Sequence, residues 1–334
     1  MSFRVGDLVE VLSLPEVMAT LDAGGMLEGM PFMPEMAQFC GKRFKVFREA
    51  TKICDTIDKS GHRRMSGTVL LEGVHCDGKA HGDCQARCMV FWRREWLKRV
   101  ASAHDLRSGR IAVQVLRPAK GSRDGADQSN EHYGRLLACA TRPGDGATSG
   151  PAYVCQITQL KQASRPFRWW DMRPYVRDVA SGNRKLWEVI RSLLITLFNW
   201  FQEIRGGCVY PHLEQGRLKK TPAVTLNLQP GDLVRARSEA EIFETLDANN
   251  KNRGLWFDKS MLPFCGRTFR VAHRVRRIIN ERTGQMIQMA PDSPIILLEG
   301  VLCPGDYHKL CPRSEYLFWR EAWLEKVGSP GGAD

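Results

Sequence analysis

No stretch of the 334-residue sequence approaches twenty uninterrupted apolar residues, and its opening, MSFRVGDLVEVLSLPEVM, has no charged region followed by an apolar one. A spanning helix and a secretory signal are therefore not expected. The sequence also has no Gly-x-Ser-x-Gly elbow, no Walker loop and no Gly-x-Gly-x-x-Gly word after a strand. Hydrolase, nucleoside-triphosphatase and dinucleotide-binding readings thus have no local support. What is present points to folded structure: 43% of residues are hydrophobic, with nine Trp and fourteen Phe, which excludes global disorder and suffices for two or three cores. Eleven cysteines without a secretory signal read as reduced thiols, used as core residues or metal ligands, and a cytoplasmic location is expected.

The two ends of the chain repeat one another. Gly6-Asp7-Leu8-Val9, Thr20-Leu21-Asp22, Phe39-Cys40-Gly41, Leu71-Glu72-Gly73-Val74 and Phe91-Trp92-Arg93 return in order as Gly231-Asp232-Leu233-Val234, Thr245-Leu246-Asp247, Phe264-Cys265-Gly266, Leu298-Glu299-Gly300-Val301 and Phe318-Trp319-Arg320. The offset is 225 residues through the Phe-Cys-Gly word and 227 from Leu-Glu-Gly onward, as a small length change in one turn produces. Each repeat reads as short strands punctuated by Gly, Pro and Asp. The Gly-Asp-x-Val opening is similar to the first strand of SH3-like and KOW-type barrels, and the doubled arrangement resembles uncharacterised bacterial proteins with a duplicated, cysteine-rich SH3-like repeat. The expected fold is mainly β with some α: two duplicated SH3-like small β-barrel domains, residues 1–100 and 226–328, joined by a middle segment 101–225, with a flexible tail at 329–334.

The formal net charge of +12 is concentrated between the repeats, since residues 101–225 carry +9 against +2 for 1–100 and +1 for 226–334. Within the middle segment, Lys120–Glu131 and Arg142–Pro151 are rich in Gly, Ser and Asp and are expected as mobile loops. Arg184 to Arg205 has a polar stripe of Glu188, Arg191, Ser192, Thr196, Asn199, Gln202 and Glu203, with Asn183 as N-cap and Gly206-Gly207 as the stop, and predicts an amphipathic helix. Its wide apolar face must be covered, by the two barrels if it is a core element, or by a membrane surface or a partner.

Cys76, His81, Cys84 and Cys88 place three thiols and an imidazole within thirteen residues, the donor set that tetrahedral zinc or an iron–sulfur cluster requires. The second repeat keeps a donor at each place, as Cys303, His308, Cys311 and Glu315. Zinc is the expected ion. A cluster is the alternative, because Cys76-Asp77-Gly78 followed by His81 is similar to the CDGSH iron–sulfur family, although two residues rather than one separate Gly78 from His81 and the upstream Cys-x-Cys is missing. Cys54 is an optional further ligand, and Cys40 and Cys265 read as core filler. A closed set makes the metal structural; the weaker Glu315 makes the second set the candidate for a metalloenzyme.

Arg165, Arg168, Trp169, Trp170, Arg173 and Arg177 interleave cations with aromatics, a composition suited to phosphates and bases, though the Trp pair with Tyr175 would equally anchor the segment to a barrel. The functional expectation is a metal-binding, non-enzymatic accessory protein that presents this segment to a macromolecular partner, with nucleic acid and an anionic membrane surface as the alternatives. Whether it is an enzyme stays open at this point.

Overall fold

Leu8-Val9-Glu10-Val11 alternates in the two-residue period of a strand, and Val9 and Val11 are fully buried while Leu8 and Glu10 stand half-exposed. The computed structural model, which describes residues 3–58, 61–100, 123–144, 150–168 and 170–327, makes this segment the strand β1 (Leu8–Val11). The expected tail at 329–334 lies outside the described residues. Two compact units are present: residues 1–84, 88–186 and 279–286 form the first, and 85–87, 187–278 and 287–334 the second. The residues between the repeats therefore divide between the units at Leu186.

The first unit is built on β1, β2 (Arg43–Glu49), β3 (Lys52–Asp55), β4 (Gly61–Arg64), β5 (Thr68–His75), β6 (Met89–Arg93) and β7 (Leu97–Arg99). Its main antiparallel sheet has the order β6-β5-β2-β1-β7 and curls into a half-barrel, while β3 and β4 form a hairpin. A short helix α1 (Leu14–Met18) follows β1, and beyond β7 the chain carries α2 (Arg123–Cys139), β8 (Arg165–Pro166), α3 (Arg173–Ala180) and α4 (Leu186–Ile204). The second unit carries β9 (Leu233–Ala236), α5 (Glu239–Phe243), β10 (Thr268–Val275), β11 (Ile295–Leu298), β12 (Trp319–Arg320) and β13 (Leu324–Lys326), in the sheet order β12-β11-β10-β9-β13.

The two ladders correspond pair by pair. Val9 faces Phe44 and Val234 faces Phe269; Val46 faces Leu71 and Val271 faces Leu298; Val69 faces Trp92 and Ile296 faces Trp319. Both second strands bulge at the same place, after Val46 and after Val271. In each unit a short 3-10 turn carries a fully buried Trp, and the indole N–H donates to a threonine hydroxyl: Trp96 to Thr20 at 3.0 Å and Trp323 to Thr245 at 3.1 Å. Phe32 and Phe257 meet those indoles edge-on at centroid distances of 5.1 and 5.5 Å. Even the buried arginines match: Arg93 donates to the carbonyls of Ser66 and Glu28, and Arg320 to those of Ser293 and Arg253. A buried guanidinium is tolerable only with such acceptors.

Three expectations need correction. The Gly/Ser/Asp-rich run Lys120–Glu131 was expected to be loop, yet the chain is helical from Arg123 in α2. It contains no proline, and the last helical turn docks the helix, with Leu136 buried and Arg135 donating to the Asp22 carbonyl at 3.2 Å. The helix at 184–205 is present as α4, but it is not a core element, because its apolar face is exposed: Leu194, Leu197 and Trp200 are 59 to 60% exposed. The buried residues of α4 are Val189, Ser192 and Gln202, so part of the polar stripe faces inward. Asn183 does not serve α4; its side-chain amide instead joins the Glu49 backbone and Asp178.

Candidate functional site

Arg165 and Pro166 pair with Arg64 and Arg63, adding β8 to the β3–β4 hairpin and fixing the start of the basic, aromatic segment on the first unit. The segment then turns into α3, which has Pro174 in its first turn, where the missing N–H costs nothing. The inner face of α3 is Pro174, Tyr175 and Asp178. Asp178 is fully buried and receives the equally buried Lys52 ammonium, along with the Asn183 amide at 2.9 Å and the Thr51 hydroxyl at 3.3 Å. The Lys52 ammonium also lies 4.5 Å from the centroid of the Tyr175 ring. Burial pushes the Tyr175 phenol up to about 12, so it stays neutral here.

With its inner face committed, α3 and the residues before it present cations outward. Arg64, Arg168, Arg173 and Arg177 line an open cleft of about 630 Å³, together with Trp170 and Asp171. Asp171 accepts from Arg173 Nε at 2.8 Å and from Arg64 at 3.0 Å, and these bonds, the Arg173 one first, hold its carboxyl below the usual carboxylate range. Arg177 donates to Glu49 at 2.7 Å. The Arg168 guanidinium sits 5.6 Å from the Trp170 ring centroid, and Trp170 is 58% exposed. Four guanidiniums thus face the cleft against the two carboxylates Asp171 and Glu49, a local excess of positive charge beside an exposed indole.

Of the six residues singled out in the sequence, the cleft gathers Arg168, Trp170, Arg173 and Arg177. Arg165 is exposed on β8 and does not line it, and Trp169 lies outside the described residues. Tyr175, not Trp170, anchors the segment. Arg64 was missed by the sequence reading. Its only signal was the Arg63-Arg64 doublet opposite the Lys52-to-Asp55 stretch, and its role depends on the long-range pairing with β8.

The two cysteine and histidine loops share a backbone. Cys76 N–H donates to the Cys88 carbonyl at 2.8 Å and His81 N–H to that of Gly78 at 2.9 Å; Cys303 donates to Glu315 at 2.6 Å and His308 to Gly305 at 3.0 Å. Both His81 ring nitrogens face protein oxygens, with Nδ1 2.6 Å from Glu35 Oε1 and Nε2 3.0 Å from the Val154 carbonyl. His308 Nε2 lies 2.9 Å from Asp258 Oδ1, and this hydrogen bond raises the imidazole above its ordinary pKa despite burial. Burial pushes the Cys76 thiol far up and Cys303 to about 11. Cys311 is buried, and Glu315 pairs with Arg313. Among the described residues, neither Cys76, His81, Cys84 and Cys88 nor Cys303, His308, Cys311 and Glu315 bring three donor atoms within 4.8 Å of one another.

Within the first unit a different pair meets. Cys54 and His62 are direct partners across the β3–β4 hairpin, and Cys54 Sγ lies 3.8 Å from His62 Nε2. A thiol and an imidazole on facing strands are two donors of the kind zinc takes. Cys40 and Cys265, raised by burial to about 11 and about 12, pack against the two cores as neutral thiols. In comparison with known proteins, the chain matches no family model and none of the curated proteins.

Proposed function

We propose that the protein is a non-enzymatic binding protein, built on two SH3-like small barrels, that takes a single-stranded nucleic acid in the cleft of Arg64, Arg168, Arg173 and Arg177. The observation that supports this most directly is the gathering of those four guanidiniums around the exposed Trp170. Guanidinium forks suit phosphate oxygens, and an exposed indole offers a base a stacking surface worth about 1–3 kcal/mol. The Lys52–Asp178 pair beneath α3 holds the cationic face in place. Arg173 and Arg168 are the residues assigned to phosphate, and Trp170 to the base.

The test is fluorescence anisotropy with labelled single-stranded RNA and DNA oligonucleotides across a salt series. Affinity should fall linearly with salt on a log–log plot, with a smaller slope for Arg173→Gln, and Trp170→Ala should weaken binding by roughly tenfold. Absence of binding at low salt removes this reading.

A bound metal is the second part of the proposal, with zinc as the ion and an iron–sulfur cluster as the alternative. Cys54 and His62 supply two of its donors, as their juxtaposition across one hairpin supports. Elemental analysis of anaerobically purified protein, with a visible absorption spectrum, separates zinc, iron and no metal.

A further inference from the structure

We propose that the outer face of α4 lies in the headgroup region of an anionic lipid bilayer and attaches the protein to a membrane surface. The helix has nineteen residues and is about 28 Å long at 1.5 Å per residue. At about 100° per residue, its large exposed apolar side chains fall on a single arc. Trp187, Leu194, Leu197, Trp200, Phe201 and Ile204 are each more than half exposed on it, the reverse of a helix that packs its apolar side on its own domain.

The opposite side holds the helix to the protein. Val189, Ser192 and Gln202 are buried, and Asn199 exchanges two 2.7 Å hydrogen bonds with the Tyr210 backbone beyond the helix. Burial of this side and its bonds to Tyr210 therefore leave the apolar face turned outward.

Two features select a lipid surface over a second copy of the chain. The apolar arc spans close to half the helix circumference, which a flat interface covers when a helix is half immersed; a paired helix covers only a narrower seam. The charge is complementary as well: Arg184 and Lys185 precede the first turn, Arg191 borders the arc and Arg205 follows the last turn, against Glu188 and Glu203. Trp187 and Trp200 stand about 140° apart around the helix, toward the two edges of the arc, where a half-immersed helix meets the headgroups. No described helix is long and apolar enough to cross a membrane, which leaves α4 lying in the interface plane.

The test is co-sedimentation of the full chain with vesicles of phosphatidylglycerol and phosphatidylcholine, beside pure phosphatidylcholine, with sedimentation velocity in the absence of lipid. Leu194→Asp with Leu197→Asp should cut the partition coefficient by at least roughly tenfold and leave the circular dichroism spectrum and melting temperature unchanged, because both side chains are exposed. Arg184→Glu with Lys185→Glu should weaken binding to the anionic vesicles and leave the slight binding to phosphatidylcholine unaltered. Wild-type protein that stays in the supernatant at low salt overturns the proposal, as does a Leu194→Asp, Leu197→Asp variant that binds like wild type. A wild-type dimer that the same variant converts to monomer, without uptake by vesicles, assigns the face to a second copy instead. Oligonucleotide binding is read separately, so neither result decides the other.

Discussion

Arg235 and Glu325 form across β9 and β13 the ion pair that Glu10 and Lys98 form across β1 and β7, with the signs exchanged. The distances are 2.6 and 2.7 Å, and in each unit the two residues are direct partners in the ladder. Glu10 has a second partner, Arg43 at 2.9 Å, whose counterpart at the same ladder position is Thr268. Charge was thus exchanged at both ends of one cross-strand pair, and the third cation is missing where the central residue became positive.

That exchange gives a charge-swap series with a built-in control. Glu10→Arg alone places three cations together and should cost roughly 0.5–1 kcal/mol; adding Lys98→Glu and Arg43→Thr, which copies the second unit, should restore most of it. Thermal unfolding at low and high salt checks this. A triple variant no more stable than Glu10→Arg would show that the two pairs contribute nothing measurable.

Acid should weaken the first unit through the same residue. The Lys98 hydrogen bond holds Glu10 below the usual carboxylate range, and the Ser13 hydroxyl does the same for Glu16 in the capping box of α1. A depressed folded pKa contributes stability that is present above the unfolded value, about 4.3 for Glu, and is lost as pH falls through the folded value. Glu10→Gln and Glu16→Gln should therefore melt below wild type at neutral pH and approach it in strong acid. Melting curves across that range decide it, and a gap that persists unchanged at low pH refutes the assignment.

Removing one member of the buried Lys52–Asp178 pair should be far more damaging. Asp178→Ala leaves an ammonium with no carboxylate in a fully buried site, which costs about 3–5 kcal/mol, whereas Lys52→Met with Asp178→Leu should cost much less. Urea unfolding gives the stabilities. Because this pair holds α3 to the first unit, the single variant should also lose whatever anion binding the arginine cleft provides, and the apolar double variant should keep it.

Local contacts leave a trace in the sequence that long-range contacts do not. The repeated words translate into matching ladder registers because strand pairing in small sheets is set by short alternating segments and bulges, both local in sequence. The cleft was legible only in part. Arg168, Trp170, Arg173 and Arg177 are neighbours in the chain, but Arg64 joins them through the pairing of β4 with β8, a long-range contact that no periodicity encodes. For α4, the sequence shows which side is apolar; it does not show that the side bearing Ser192 and Gln202 turns inward. The paired donor positions of the cysteine loops likewise marked a shared backbone turn, in which His81 is engaged by Glu35 and Val154.

That shared turn has a sharp steric requirement. Gly78 has φ +70° and Gly305 φ +76°, and a Cβ at either place would overlap the carbonyl of Cys84 or Cys311, which closes the loop behind it. Gly73 and Gly300 have nearly the same φ, +70° and +69°, yet a Cβ there meets nothing within 4 Å. Alanine at Gly73 should therefore cost only the left-handed strain, about 1 kcal/mol, while alanine at Gly78 adds a backbone clash and should cost at least about twice that. The same ordering should hold for Gly300→Ala and Gly305→Ala. Denaturant unfolding of the four variants measures it, and equal losses at Gly73 and Gly78 would mean that the cysteine loop yields to accommodate a methyl group and is not the rigid turn that its hydrogen bonds describe.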